Sequence, residues 1–527
     1  MVRRNILAGA LLCGAATAWS APARATGFTE IGQDIERREK WGAEVSGYLR
    51  TRGEMLGNLD LDRGLTPSGD PLFPVSASEP RRQMLTHWDM RLRADLAFYA
   101  PGNVVAVKAR LDALDNLALG SAPEGIPSAT VSQRAGGDLL RLKRAWGEAL
   151  LPFGLVAAGR MGNSWGLGML ANGGDCLDCD SGDAADRVAF LTPLFGHIFA
   201  VAYDFSATGP QVPRRASNRT LGVEPSTDVR SVTFAALRHH DEAARARRAK
   251  AGKTTLDYGA YVSHRWQESD VPSSYLPVAQ PNALSATDVM ARGYRATAVD
   301  GWARVTSGLL RIEAEVAWLG ATVDQPSLLP GLLYKEPAKS SQFGAALESD
   351  LGRAEGLVGG GVDMGFASGD PAPGFGAVVK PGAAAPKPGD LDGAQANPPF
   401  DNRADNFRFH PDYRVDRILF REIIGTVTDA AYVRPHVRVT PIRWRSAEIT
   451  ASLAVVGSSA VRAASTPNGK APLGIEIDPT ILYTSRGGFL AALEHAVLFP
   501  LAGLDNDAQG LSAKPAQLLR LRLQYVF

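Results

Sequence analysis

The chain is expected to be all-β: a single transmembrane antiparallel β-barrel of about eighteen strands, sixteen being the alternative count, with long extracellular loops. Three observations predict it. Apolar residues recur at period two along the 527 residues, in segments separated by turn chemistry. After the N-terminal region no apolar run of about 18 residues follows, so no helix is available to cross a bilayer. Connections between the periodic segments alternate short and long, as in barrels with tight turns on one side of a membrane and loops on the other. A span made without helices must be a closed sheet, because backbone groups in hydrocarbon find no water to bond. A charged content of 21% fits, since every second residue of such a strand faces an aqueous lumen.

From the N-terminus, Arg3 and Arg4 precede the apolar run Ile6 to Ala18 and the small-x-small site Ala23-Arg24-Ala25. This is the pattern of a secretory signal peptide over 1–25, cleaved after Ala25. Cys13 follows Leu12 rather than a small residue, which argues against a lipoprotein site. Cleavage removes three arginines and no acid, leaving 53 basic against 55 acidic residues. Nothing in that balance attracts nucleic acid, and none is expected as a partner. Residues 26–43 are expected to be a periplasmic segment and 44–527 the barrel.

Within the barrel the sharpest strand is Trp88, Met90, Leu92, Ala94, Leu96, Phe98 against Asp89, Arg91, Arg93, Asp95. A tight turn at 100–103 leads to Val105, Val107, Ala109, Leu111 against Lys108, Arg110, Asp112. Leu310 to Trp318 and Ala447 to Val455 alternate as cleanly. Leu139 to Leu151 does not, which predicts a bulge, and the following strand is read as 155–169. The connection 239–254 is an exception, long although it should lie on the short-turn side. The long outer loop 368–430 carries a Pro/Ala/Gly tract from Lys380 to Pro399, too poor in apolar residues to pack by itself. The loop either hangs in solvent or folds into the mouth as a constriction or plug, and Arg417 to Thr428 reads as a short helix or extra strand.

The final segment places Leu519, Leu521, Leu523, Tyr525 and Phe527 against Arg520, Arg522 and Gln524. It resembles the last strand of bacterial outer-membrane β-barrels, which closes on a C-terminal Phe. That resemblance implies the outer membrane as location, its lipid as surroundings, and the barrel-assembly machinery as a partner for this strand.

Alternation also predicts what faces the lumen. The first four strands and the last supply Arg50, Arg52, Arg91, Arg93, Lys108, Arg110, Arg141, Lys143, Arg520 and Arg522, a basic wall where the last strand meets the first. Glu313, Glu315, Glu348, Asp350 and Asp363, with Glu448, Glu476 and Asp478, make an opposite acidic wall. Opposed walls create a transverse field that favours polar solutes. The runs Leu142-Lys143-Arg144-Ala145-Trp146-Gly147-Glu148, Gly159-Arg160, Trp165-Gly166-Leu167-Gly168, Gly365 to Asp370 and Gly474 to Asp478 are similar to porins related to the alginate-export family. The resemblance implies eighteen strands, a pore lined by arginines for acidic or polar sugars, and Arg160 as a lumen residue.

The function expected is therefore passive diffusion of polar or anionic small solutes, sugars among them, without enzyme chemistry or cofactor. The alternative is a structural or adhesive barrel with a plugged lumen. Gly162-Asn163-Ser164-Trp165-Gly166 fits a nucleophile elbow but lacks the strand–turn–helix setting, and His239-His240-Asp241 lacks a third metal ligand. Asp175, Asp178, Asp180 and Asp183 crowd what reads as an acidic surface loop, with calcium as a weak alternative whose spacing misses the EF-hand pattern. Cys176 and Cys179 are a candidate local disulfide in an oxidising envelope. Trp41, Trp88, Phe98, Tyr99, Trp266, Trp318, Tyr483 and Phe499 suit interfacial girdles.

Overall fold

A computed structural model describes residues 28, 31–32, 40–79, 83–120, 140–271, 285–327, 333–352, 356–375 and 401–527. The expected signal peptide, 1–25, and the Lys380–Pro399 tract lie outside the described residues. The strands are β1 (Gly42–Gly57), β2 (Met84–Tyr99), β3 (Val105–Ala118), β4 (Leu140–Leu151), β5 (Gly154–Gly162), β6 (Ala184–Leu194), β7 (His197–Ala207), β8 (Gln211–Pro213), β9 (Thr220–Gly222) and β10 (Val229–Arg238). They continue with β11 (Thr255–Asp270), β12 (Met290–Ser307), β13 (Leu310–Val323), β14 (Ala338–Leu351), β15 (Val358–Ala367), β16 (Ala430–Arg443), β17 (Ala447–Ala460), β18 (Pro472–Ser485), β19 (Phe489–Pro500) and β20 (Ala516–Val526).

Eighteen of these form one antiparallel sheet, and it closes on itself where β1 pairs with β20, from Tyr48 opposite Val526 to Gly57 opposite Gln517. The small β8–β9 hairpin stands apart in the connection between β7 and β10. Every barrel strand pairs with its sequence neighbours, so closure leaves no edge for hydrocarbon to strand.

Period two sets the two faces. On β20, Leu519 is 40% and Leu521 36% exposed, while Arg520 and Arg522 are buried. Val316, Trp318, Phe343, Ile481 and Leu493 likewise lie on the outside. An apolar surface this continuous would be an aggregation hazard in water and is a solvation layer in lipid. Apart from 239–254, short turns gather at one end and long loops at the other. The chain is a closed β-barrel with an apolar outer face.

Several expectations are corrected. β5 ends at Gly162 rather than 169, because the chain turns inward there, with Gly166 and Gly168 at φ +57° and +81°. The irregularity in β4 is a bulge at Lys143: Arg110 pairs with Arg144 and Leu111 with Leu142. Tyr99 points into the barrel and is buried rather than belonging to a girdle. From the segment 26–43, Phe28 lies against the inward Arg187 at 5.3 Å and the Gly32 N–H donates to Glu148, so these residues reach the barrel interior. The long connection 239–254 contains a helix, Glu242–Lys250, capped by the Asp241 side chain and ending in Arg247, Arg248 and Lys250, which complement its dipole.

Placing a cation on the lipid face should cost far more than on a loop. Val316→Arg, at the middle of β13, is expected to destabilise the barrel by about 2–4 kcal/mol, measured by urea titration of barrels folded into lipid vesicles.

Candidate functional site: a lumen entered by two folded segments

Strand register builds the basic wall as expected, with Arg50 opposite Arg91 and Arg52 opposite both Asp89 and Arg522. Yet each cation meets a local anion. Arg93 forms a two-pronged pair with Asp112 at 2.7 and 2.8 Å, and Arg110 does so with Asp95 at 2.6 and 2.9 Å. Lys108 reaches Glu148 at 3.2 Å, Arg91 reaches Asp115 at 2.7 Å, and Arg520 reaches Glu54 at 2.5 Å. Arg141 and Lys143 both approach Asp115, at 3.7 and 2.6 Å, from the exposed rim. Past the bulge the inward cation is Arg144.

Arg160 is not a lumen residue. On β5 the inward positions are Leu155, Ala157 and Met161, all buried, so Arg160 faces outward and pairs with Asp186 on the exposed surface at 2.7 Å. Period two leaves no other outcome once Met161 is inside.

The acidic wall is also compensated. Glu313 takes Arg311 at 2.6 Å and Arg304 at 3.3 Å; Arg311 also serves Glu348 at 3.1 Å and Asp350 at 2.5 Å. Asp363 takes Arg434 at 2.5 Å. Glu315 instead accepts the backbone N–H groups of Leu167 (2.5 Å), Leu170 (3.2 Å) and Met169 (3.3 Å). Glu476 accepts those of Arg417, Ile418 and Leu419 at 2.8, 2.8 and 3.0 Å. These two carboxyl groups dock chain that has entered the barrel.

The first entering segment is 163–183. Gly166 admits it, because a Cβ there would lie 2.5 Å from the Glu315 carboxylate oxygen. Trp165 packs edge-on against Tyr261 at 4.9 Å, and Leu167 and Met169 join an apolar core. The acidic run therefore lies inside the barrel, not on the surface. Asp175 meets Arg110 and Arg144, and Cys176 and Cys179 are joined. Asp178 lies 3.3 Å from Arg52, 3.1 Å from Arg414 and 2.8 Å from Arg421. Asp180 lies 2.8 Å from Arg50, 3.0 Å from Arg52 and 2.7 Å from Arg414. Asp183 sits 3.6 Å from His410. Arginine, not calcium, answers these carboxylates, and no cluster able to hold a metal occurs among the described residues.

The second segment is 401–429, the described end of the long loop. Within it Leu419–Ile423 forms a short helix, the first of the two alternatives expected for Arg417 to Thr428, and Arg408 bridges to Thr428. Phe407 fits the wall where Gly344 leaves room, since a Cβ there would touch its ring. Phe407, Phe409, Ile418, Leu419 and Phe420 share a core with Leu61, Leu167, Met169, Leu473, Leu498 and Leu518. The two segments hold each other: Asp412 accepts the N–H groups of Asp180 and Ser181 at 2.9 and 3.0 Å, and the His410 N–H donates to the Met169 carbonyl at 2.7 Å.

Burial alone would raise the Asp178 carboxyl, but Arg522, Arg414, Arg52 and Arg520 hold it well below the usual carboxylate range. Asp180 is lowered against the same burial by Arg414, Arg52 and Arg50. Water still reaches the interior, since Asp180 keeps 28%, Asp95 39% and Asp183 44% of its side chain exposed. The Ser164 Oγ is buried and unpartnered, and His240 is held by Asp257 at 2.7 Å beside the helix cap.

Sequence reasoning missed Arg144, hidden by the bulge, and Asp412, Arg414, Asp416 and Arg421. The signal for the last four was the interleaving of charges with Val415, Ile418, Leu419 and Phe420, a pattern unsuited to a solvated loop.

No family model and no curated protein matches this chain. Among solved structures it is similar to a BenF-like porin from Pseudomonas fluorescens Pf-5, with TM-score 0.45 and 10% identity over 93% of this chain and 100% of that one. It is also similar to Pseudomonas aeruginosa OccK11 (OpdR), with TM-score 0.45 and 10% identity over 94% and 99%. An anion-selective porin from Comamonas acidovorans gives TM-score 0.39 and 9% identity over 93% and 100%.

Two outcomes follow for the inserted chain. Glu476→Ala strands three buried N–H groups, each costing about 1–3 kcal/mol, so limited proteolysis should cut within 405–427 where the parent barrel resists. Because Asp178 and Asp180 have lowered folded values, their stabilisation is complete above the unfolded carboxylate range and is lost only as pH falls through those lowered values. Spin-label distances between 178–180 and the wall should therefore be unchanged from pH 7 to about pH 4.

Proposed function

We propose that this barrel is a passive outer-membrane channel whose mouth is narrowed by 163–183 and 401–429, and that it admits small polar or anionic solutes, sugars among them. The observation that carries this reading is water-accessible charge inside the wall, above all at Asp95, four residues from the short-turn end of β2 and 39% exposed. An eighteen-strand ring is wider than its own side chains can fill. Lys108, Arg144, Arg414 and Arg421 face the interior, and an anion would exchange with the carboxylates they now hold, Glu148, Asp175, Asp178 and Asp180. Polar solutes would exchange hydration for the paired charges one partner at a time, with no covalent step.

A second reading is favoured by one specific feature. The apolar core from Leu61 through Phe409 to Leu498 joins both segments to the wall without a break, as a permanent stopper would. On that reading the protein is a structural or adhesive barrel whose outer loops meet surface partners.

Planar-bilayer recording separates the two. The channel reading expects discrete conductance steps that favour anions, and larger steps after deletion of 405–427. A silent parent barrel that conducts only after the deletion would establish the stopper and sink the channel reading.

A further inference from the structure

On the outward face of β7, β10 and β11 an apolar depression stands directly above a cluster of cations. Register places Phe199, Ala236 and Ala260 side by side in one row, and Val201, Phe234 and Val262 in the next outward row away from the short turns. The two alanines leave an open groove of about 380 Å³ between the larger side chains, flanked by Phe190 on β6 and Val299 on β12. Phe234 is 61% exposed, so no part of the described chain covers the groove.

One outward row nearer the short turns, the same three strands present His197, Arg238 and Tyr258. The His197 Nδ1–H donates to the Phe195 carbonyl at 3.1 Å, so its Nε2 accepts from the Tyr258 hydroxyl at 2.8 Å, and the two rings satisfy each other across β10. Arg238 stays exposed and makes no ion pair among the described residues. The connection that follows it adds more cations than acids. Arg238, Arg245, Arg247, Arg248, Lys250 and Lys253 stand against Asp241, Glu242 and Asp257. Asp257 is taken by His240 and Arg245 at 2.7 and 3.5 Å, and Asp241 by the helix cap. Glu242 is then the one acid left against Arg238, Arg247, Lys250 and Lys253. The neighbouring short turns, 193–197 and 306–309, contain no acid.

We propose that this patch is a binding site for one phospholipid with an anionic headgroup, in the leaflet on the short-turn side of the membrane. An acyl chain lies along the strands in the groove over Ala236 and Ala260, and the phosphate meets Arg238. A guanidinium can hold two phosphate oxygens at once, and Arg247, Lys250 and Lys253 add attraction from the water side. An apolar groove alone would take any lipid chain that diffuses past. The cation fixed at its foot selects by charge, because a zwitterionic headgroup brings a cation of its own toward the same cluster. A second copy of this chain is a poorer occupant, since a two-fold contact through this patch would bring two cation clusters together. The proposal rests on the outer face lying in lipid and not on passage through the lumen.

The test uses the full barrel in detergent, mixed with equal amounts of dioleoyl phosphatidylglycerol and dioleoyl phosphatidylcholine and read by native mass spectrometry. The parent is expected to retain phosphatidylglycerol at least about fivefold more than phosphatidylcholine, the effect of one cation near a lipid surface. R238Q is expected to lose most of that preference while holding both lipids weakly. A260F fills the groove without touching a charge and is expected to release both. R247Q/K250Q is expected to lose a smaller part of the preference, and decides in place of R238Q should that variant not fold. Heat-shifted gel mobility verifies folding. Equal retention of the two lipids by the parent, or an unchanged preference in the charge variants, overturns the proposal. A lipid-free dimer that A260F disrupts gives the groove to a second copy and overturns it too. A barrel that stays dissolved without detergent and retains neither lipid sinks the lipid-facing reading of the wall together with the site, whereas a membrane-embedded barrel with equal retention sinks the site alone.

Discussion

Closure of the sheet between β1 and β20 is the constraint from which the rest follows. In hydrocarbon an unpaired backbone group has no partner, so the eighteen strands must form a ring, and the ring fixes a circumference. That circumference encloses more volume than inward side chains can occupy. The interior must then be either water or chain, and this protein uses both. The two inserted segments bring an apolar core to the loop-bearing half, while charged side chains elsewhere keep contact with water.

Chain that enters a charged ring brings polar backbone into confinement. Its N–H groups need acceptors and its side chains need counter-ions. The wall meets both demands with the residues that alternation places inward: Glu315 and Glu476 receive backbone donors, and Arg50, Arg52, Arg520 and Arg522 receive Asp178 and Asp180. The wall charges are thus spent largely on binding the protein's own loops. A simple transverse field between a basic and an acidic side gives way to a mosaic of local pairs, in which Arg93 and Asp112, or Arg311 and Glu313, cancel within a few ångströms.

Much of the architecture was legible from residues alone. Period two at Trp88–Phe98, Leu310–Trp318 and Leu519–Tyr525 fixed which side chains face lipid, because a strand offers only two faces. It failed where a local irregularity resets parity or where glycine releases the strand. The bulge at Lys143 concealed Arg144, and the turn after Gly162 made a presumed strand end into a lumen segment. Arg160 was misplaced because a likeness between short motifs carries no parity, whereas buried Met161 beside it does.

By itself, then, the sequence determined the ring: its all-β nature, its strand count, its oily outside and its charged inside, since these depend on alternation and turn chemistry within a few residues. Only the tertiary structure decided where the loops go. Asp178 and Arg414 are separated by more than two hundred residues, and no local pattern relates them. Their pairing arises because closure creates a confined space in which opposite charges and stranded N–H groups must find one another.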